Sequence, residues 1–202
     1  MYKKIFLILF LFFLINCESV TYDLVIKNGQ VFDGSGTDSK FVDIAITGNT
    51  IIKVGKINSE KSTRVIDASG LIVSPGFIDT HAHLDPMDNF IKLSDSESHV
   101  RQGVTTSFGG PDGRGVPLKY GFKQYLDTIE KVGVGMNVGF LTGHNKIRRV
   151  VMNLDNREPT NDELEIMKNL ASKAMDEGAF GISTGLKYLP GNFSKVDEVI
   201  AC

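Results

Sequence analysis

Two histidines one residue apart, His81 and His83, close an apolar run in the string Pro75-Gly76-Phe77-Ile78-Asp79-Thr80-His81-Ala82-His83-Leu84-Asp85. On an extended chain alternate side chains share a face, so both imidazoles project the same way. Two neutral imidazoles at that spacing can grip one divalent metal ion, although two surface histidines in a loop give the same letters. The apolar lead-in from Leu71 to Ile78 predicts a buried strand. That places the pair at the strand's C-terminal end, where α/β barrels carry their chemistry. Asp79 and Asp85 add carboxylates on either side.

The rest of the chain must position these groups. Its 202 residues are 42% hydrophobic and 23% charged, which describes a globular protein, and a net charge of -2 gives no basis for binding nucleic acid. Two cysteines, Cys17 and Cys202, cannot build a disulfide framework. Lys3 and Lys4 precede an apolar run, Ile5 to Ile15, that is too short to span a bilayer comfortably but suits the core of an export signal. Its end, Leu14-Ile15-Asn16-Cys17, resembles a bacterial lipobox, with Asn16 where a small residue is preferred. Residues 1–17 are therefore expected to direct export. Cys17 is the candidate lipidation site of a membrane-anchored lipoprotein facing the periplasm or cell surface; an ordinary signal or short anchor is the alternative.

Residues 21–68 read as a small β domain. Leu24–Lys27 and Gln30–Phe32 flank Asn28-Gly29, a type I′ hairpin signal, and Asp43–Ile46 and Thr50–Val54 flank Thr47-Gly48-Asn49. Arg64–Asp67 adds a further strand. From residue 69 to 202, strand and helix alternate, as in a parallel β/α barrel. After the first barrel strand come a helix around Asp95–Gln102, a strand at Val104–Phe108, a helix with Phe122, Tyr125, Leu126 and Ile129 on one face, and a strand at Met136–Leu141. Thr160 and Glu163 form a capping box for the next helix, whose buried face is Leu164, Met167, Leu170, Ala171, Ala174 and Met175 and whose stop is Gly178. Phe180–Ser183 is the fourth strand, and Glu198–Ala201 opens another helix.

The Pro-Gly-Phe-Ile-Asp-x-His-x-His string resembles the first-strand signature of the amidohydrolase superfamily. Gly143-His144-Asn145-Lys146-Ile147-Arg148 and the run from Gly178 to Gly191, containing Ser183-Thr184-Gly185-Leu186-Lys187-Tyr188, resemble its N-acyl-D-amino-acid deacylase (D-aminoacylase) branch. The resemblance implies a zinc-dependent enzyme, with one or two ions, that hydrolyses N-acyl-D-amino acids. It implies an incomplete TIM-like (β/α) barrel of about four units, preceded by a small β-sandwich-type domain. His81 and His83 would be metal ligands. Asp112, in Gly109-Gly110-Pro111-Asp112-Gly113, stands where much of the family carries a cysteine ligand, and it is either a third ligand or an ordinary turn residue. Lys187 matches a lysine that many binuclear members carbamylate to bridge two metals; an unmodified ammonium has no lone pair and would simply be solvated.

Tyr188 matches a tyrosine that helps bind the substrate carboxylate, with packing as the alternative. His144, a metal ligand by residue type as the alternative, is expected to fix a loop or touch substrate, and His99 to be exposed on a helix. Lys146, Arg148 and Arg149 form a basic cluster that either meets an anionic substrate or is solvated. The family's general-base aspartate, which follows strand eight, is expected beyond residue 202, so this chain is expected to be an N-terminal portion, poorly folded and inactive alone. The competing readings are a lipid-anchored non-catalytic remnant, a subunit needing a separately encoded remainder of the barrel, and a cyclic amidase of the hydantoinase or dihydroorotase type.

Overall fold

The computed structural model describes residues 21–84, 87–116 and 121–202. The proposed signal, Cys17 and Asp85 lie outside them. No helix among the described residues is long and apolar enough to cross a membrane. The chain divides into two compact units between Pro75 and Gly76.

The first unit is built of short strands. β1 (Tyr22–Lys27), β4 (Asp43–Thr47), β5 (Thr50–Gly55) and β6 (Ser62–Asp67) form one sheet in the order β5-β4-β1-β6. β2 (Gln30–Val31), β3 (Lys40–Phe41) and β7 (Ile72–Val73) form a second, in the order β3-β2-β7. β4 and β5 close a hairpin as their alternation predicts, with Gly48 at the left-handed φ of 58° that the turn requires. The core is small: Val25, Ala45 and Ile57, with Tyr22 packed against it.

Asn28-Gly29 does not make the expected hairpin. β1 pairs antiparallel with β4 and parallel with β6, whereas β2 pairs with β3 and β7, so the chain changes sheet at this corner. A type I′ turn needs positive φ at both positions, and only Asn28 has it, at 62°. Its N–H donates to Asp43 Oδ1 at 3.2 Å and its side-chain amide to Asp67 Oδ1 at 2.9 Å. Contacts distant in sequence thus override a strong local turn signal. β7 also carries the first unit to Pro75, past the 21–68 span expected for it.

The second unit alternates strand and helix: β8 (Phe77–Asp79), α1 (Met87–Lys92), α2 (Glu97–Val100), β9 (Val104–Gly109), α3 (Phe122–Val132), β10 (Asn137–Phe140), β11 (Thr142–Gly143), α4 (His144–Met152), α5 (Asn161–Asp176), β12 (Ile182–Ser183) and α6 (Val196–Ala201). β8, β9 and β10 form a parallel sheet in the order β10-β9-β8, and β11 pairs parallel with β12. Phe140, fully buried, sits in the main core with Tyr125 and Phe90 edge-on to its ring. Burying such side chains contributes about 1.5–3 kcal/mol each.

α3 presents Phe122, Tyr125 and Ile129 to that core, as their spacing predicts. Its first turn is capped from a distance: Glu177 Oε2 accepts the N–H groups of Phe122 at 2.8 Å and Lys123 at 3.2 Å. The Lys123 amide, with that of Phe122, holds the Glu177 carboxyl below its ordinary pKa. α5 has the expected capping box and buries Met167, Ala171 and Ala174. Met175, expected on that face, is 46% exposed, because it lies one residue past Ala174 and so about 100° round the helix.

The lead-in to the histidines is not one buried strand. Ser74-Pro75-Gly76 breaks it into β7 of the first unit and β8 of the second, and Leu71, Phe77 and Ile78 are all exposed among the described residues. Pro75 cannot donate to a ladder. Gly76 lies so close to Thr105 that a Cβ there would stand 2.1 Å from its Oγ1.

Candidate metal centre

Past the end of β8 the chain stays extended alongside β9, with the Ala82 N–H donating to the Phe108 carbonyl at 3.0 Å. Ala82 and Leu84 turn into the core, which leaves His81 and His83 together on the opposite, exposed face. Their rings stand edge to face with centroids 5.4 Å apart. Asp79, at the strand end, accepts the His81 N–H on Oδ1 at 3.0 Å and pins the start of the segment.

β9 delivers the third group. Beyond Gly109 the chain turns through Pro111-Asp112-Gly113, closed by Arg114 N–H to the Pro111 carbonyl at 3.1 Å, with Asp112 in the left-handed region at φ 57°. Asp112 Oδ2 lies 3.3 Å from His83 Nε2 and 3.7 Å from His81 Nε2. The turn and ligand readings of Asp112 are therefore compatible. It is a turn residue whose carboxylate faces both imidazoles.

The donor set fits a divalent metal. One ligand atom from each of His81, His83 and Asp112 lies within 4.8 Å of the others. Around tetrahedral zinc, with bonds near 2.0–2.2 Å, neighbouring donors stand about 3.3 Å apart. The His83–Asp112 separation already matches, and the His81–Asp112 separation is a few tenths of an ångström longer. Two neutral nitrogens and one carboxylate are also the ligand types that zinc takes at catalytic sites.

Lys187 and Tyr188 follow β12 in a loop and are both exposed. Gly185, just before them, lies against the Asp112 backbone, where a Cβ would stand 2.2 Å from the Asp112 carbonyl oxygen. The fold thus brings the loop's backbone to the Asp112 turn. His99, on α2, is half-buried, with Nδ1 3.3 Å from Ser98 Oγ.

His144 is 1% exposed and both ring nitrogens are engaged: Nδ1 with Thr184 Oγ1 at 3.1 Å, Nε2 with Glu198 Oε1 at 3.0 Å. That arrangement ties α4 to the start of the Lys187–Tyr188 loop. Arg148 is neither solvated nor presented to a substrate. It is fully buried, paired with Glu198 Oε2 and donating to the carbonyls of Arg157 at 2.7 Å and Asp155 at 3.3 Å.

Sequence reasoning missed three residues that shape this region: Glu198, Asn145 and Ser183. Glu198 receives both His144 and Arg148 while 4% exposed. Asn145 and Ser183 hold the loops around Asp112. A signal existed for part of this. His144 and Arg148 are four apart and share the helical period of Met152, which marks them as inward-facing.

A sequence profile of the Amidohydrolase family matches residues 64–194. The chain is 32% identical over 203 residues to the D-aminoacylase of Alcaligenes xylosoxydans xylosoxydans, covering 91% of this chain and 42% of that protein. Among solved structures, a D-aminoacylase studied for its binuclear metal centre superposes with a TM-score of 0.83 at 32% identity, covering 89% of this chain and 42% of the other. The N-acyl-D-glutamate deacylase of Bordetella bronchiseptica, complexed with zinc and a phosphonate mimic of the tetrahedral intermediate, superposes with a TM-score of 0.80 at 29% identity, covering 90% and 42%. The chain thus spans about two fifths of the length of these relatives.

Proposed function

The chain belongs to the amidohydrolase family, and from that premise we propose that it carries the metal-binding and substrate-facing part of a zinc-dependent hydrolase of N-acyl-D-amino acids. The observation that carries the proposal is the convergence of His81, His83 and Asp112 from two neighbouring parallel strands. The relatives' names supply the substrate class: a D-aminoacylase and an N-acyl-D-glutamate deacylase. The parallel order of β8, β9 and β10 and the β11–β12 pair support reading the second unit as about four β/α units of a TIM-like barrel.

His81 and His83 would hold the ion through ring nitrogens kept on one face by the buried Ala82 and Leu84. Asp79 fixes the backbone at His81, and Asp112 brings one negative charge opposite the two rings. A zinc ion held there supplies the Lewis acidity and the acidified water that amide hydrolysis needs near neutral pH. Tyr188 offers an exposed phenol that can donate to the carboxylate of an acyl-amino acid, and Lys187 stands beside it as a bridging ligand if carbamylated. Export and lipidation at Cys17 belong to the same proposal and place the activity at a membrane surface.

The test is hydrolysis of paired N-acetyl-D- and N-acetyl-L-amino acids, with and without zinc, by this chain and by the natural gene product that contains it. The proposal expects zinc-dependent release of the D-isomer only, abolished by His81→Ala. Equal turnover of both isomers, or turnover indifferent to that substitution, contradicts it.

A further inference from the structure

Asn145, the second residue of α4, is only 6% exposed, and its amide is bonded on both sides. Oδ1 accepts the Gly185 N–H at 3.0 Å, while Nδ2 donates to the carbonyls of Gly185 at 2.9 Å and Tyr188 at 3.3 Å. One donor and two acceptors fix which way the amide faces. Turned over, its NH2 would meet an N–H and its oxygen would meet two carbonyls.

The surrounding chain is packed onto this side chain. A Cβ on Gly113 would stand 2.1 Å from Asn145 Oδ1, and one on Gly191 would stand 2.5 Å from Nδ2. Gly185, held by Asn145 at both its N–H and its carbonyl, in turn abuts the Asp112 carbonyl oxygen. Next along α4, the Lys146 N–H donates to the Gly113 carbonyl at 3.1 Å. Ser183 grips the same turn separately: its Oγ donates to the Gly110 carbonyl at 2.6 Å and accepts the Gly113 N–H at 3.0 Å. A left-handed φ at a non-glycine residue such as Asp112 is unfavourable alone and persists where its surroundings over-determine it.

We propose that Asn145 is a positioning residue that sets where the Asp112 carboxylate stands relative to His81 and His83 and locks the Lys187–Tyr188 loop to the same turn. It acts through Gly185 and Gly113, with no contact to the carboxylate needed. The inference rests on the reading of Asp112 as a metal-facing group.

Cobalt(II) is the probe, titrated into the full chain and into Asn145→Asp, Gly185→Ala, Asp112→Ala and Met167→Ala variants. Affinity, the visible ligand-field spectrum and the thermal midpoint are read for each. Asn145→Asp sets a carboxylate oxygen against two carbonyls and is expected to weaken cobalt binding about 10–100-fold, as loss of an outer partner of a ligand does, and to change the ligand-field bands. Gly185→Ala should do the same with Asn145 intact. Met167→Ala, in the separate cluster with Ile147, Met152 and Ala171, should lower the midpoint and leave the spectrum alone.

Wild-type affinity and spectrum in Asn145→Asp, whatever its midpoint, overturn the inference. If that variant does not fold, an unchanged spectrum in Gly185→Ala overturns it equally. Cobalt binding indifferent to Asp112→Ala removes the reading beneath and the inference with it, whereas sensitivity to Asp112 without sensitivity to Asn145 overturns the inference alone.

Discussion

The Oδ2 of Asp112 lies 3.3 Å from the Nε2 of His83, although one residue follows β9 and the other follows β8. Parallel pairing creates this proximity. Neighbouring parallel strands finish at the same edge of the sheet, so the turns that leave them meet there.

If that edge holds a metal, each histidine should matter and a third should not. His81→Ala and His83→Ala are each expected to lower zinc affinity at least about tenfold in calorimetric titration, because a two-donor remainder is a poor site. His99→Ala, on α2, should leave affinity unchanged. Equal losses in all three would indicate scattered surface binding.

The histidine pair was legible because strand periodicity is local: alternation alone predicts that His81 and His83 face one way while Ala82 and Leu84 face the other. Asp112 was not separable from an ordinary turn residue, since Pro-Asp-Gly looks the same whether or not imidazoles stand opposite. The helices α3 and α5 were readable from apolar spacing and from the Thr160–Glu163 cap. Asn28-Gly29 misled because β1 lies between the antiparallel β4 and the parallel β6, neither of them adjacent in sequence, and no turn signal announces either pairing. Arg148 misled because a charged side chain is mostly solvated, and its burial depends on Glu198, fifty residues away.

That buried group makes a stability prediction. Glu198 faces both His144 and Arg148, so Glu198→Ala strands a buried guanidinium and is expected to cost about 3–5 kcal/mol in urea denaturation. An Arg148→Leu/Glu198→Leu double variant should recover part of the loss, because no charge is left unpaired. A Glu198→Ala chain as stable as the parent would show that the network contributes nothing.

Acid should weaken the cap of α5 in a defined window. Hydrogen bonds from Arg157, with the Thr160 N–H, lower the Glu163 carboxyl from 4.5 to about 2. A depressed carboxyl contributes stability that is present above its unfolded pKa and is lost as pH falls from about 4.5 through about 2. Thermal midpoints across that interval should fall more steeply for the parent chain than for Glu163→Gln. Parallel curves would remove Glu163 as the cause.

The most direct measurement is the electronic spectrum of the Asp112→Cys variant loaded with cobalt(II), against the parent chain carrying its native Cys17 and Cys202. A ligand at position 112 that becomes a thiolate must produce an intense sulfur-to-cobalt charge-transfer band absent from the parent, at one ion per chain and lost again on His83→Ala. The account predicts that band. Cobalt bound without it, with the new thiol still free to react, would contradict Asp112 as part of the metal centre.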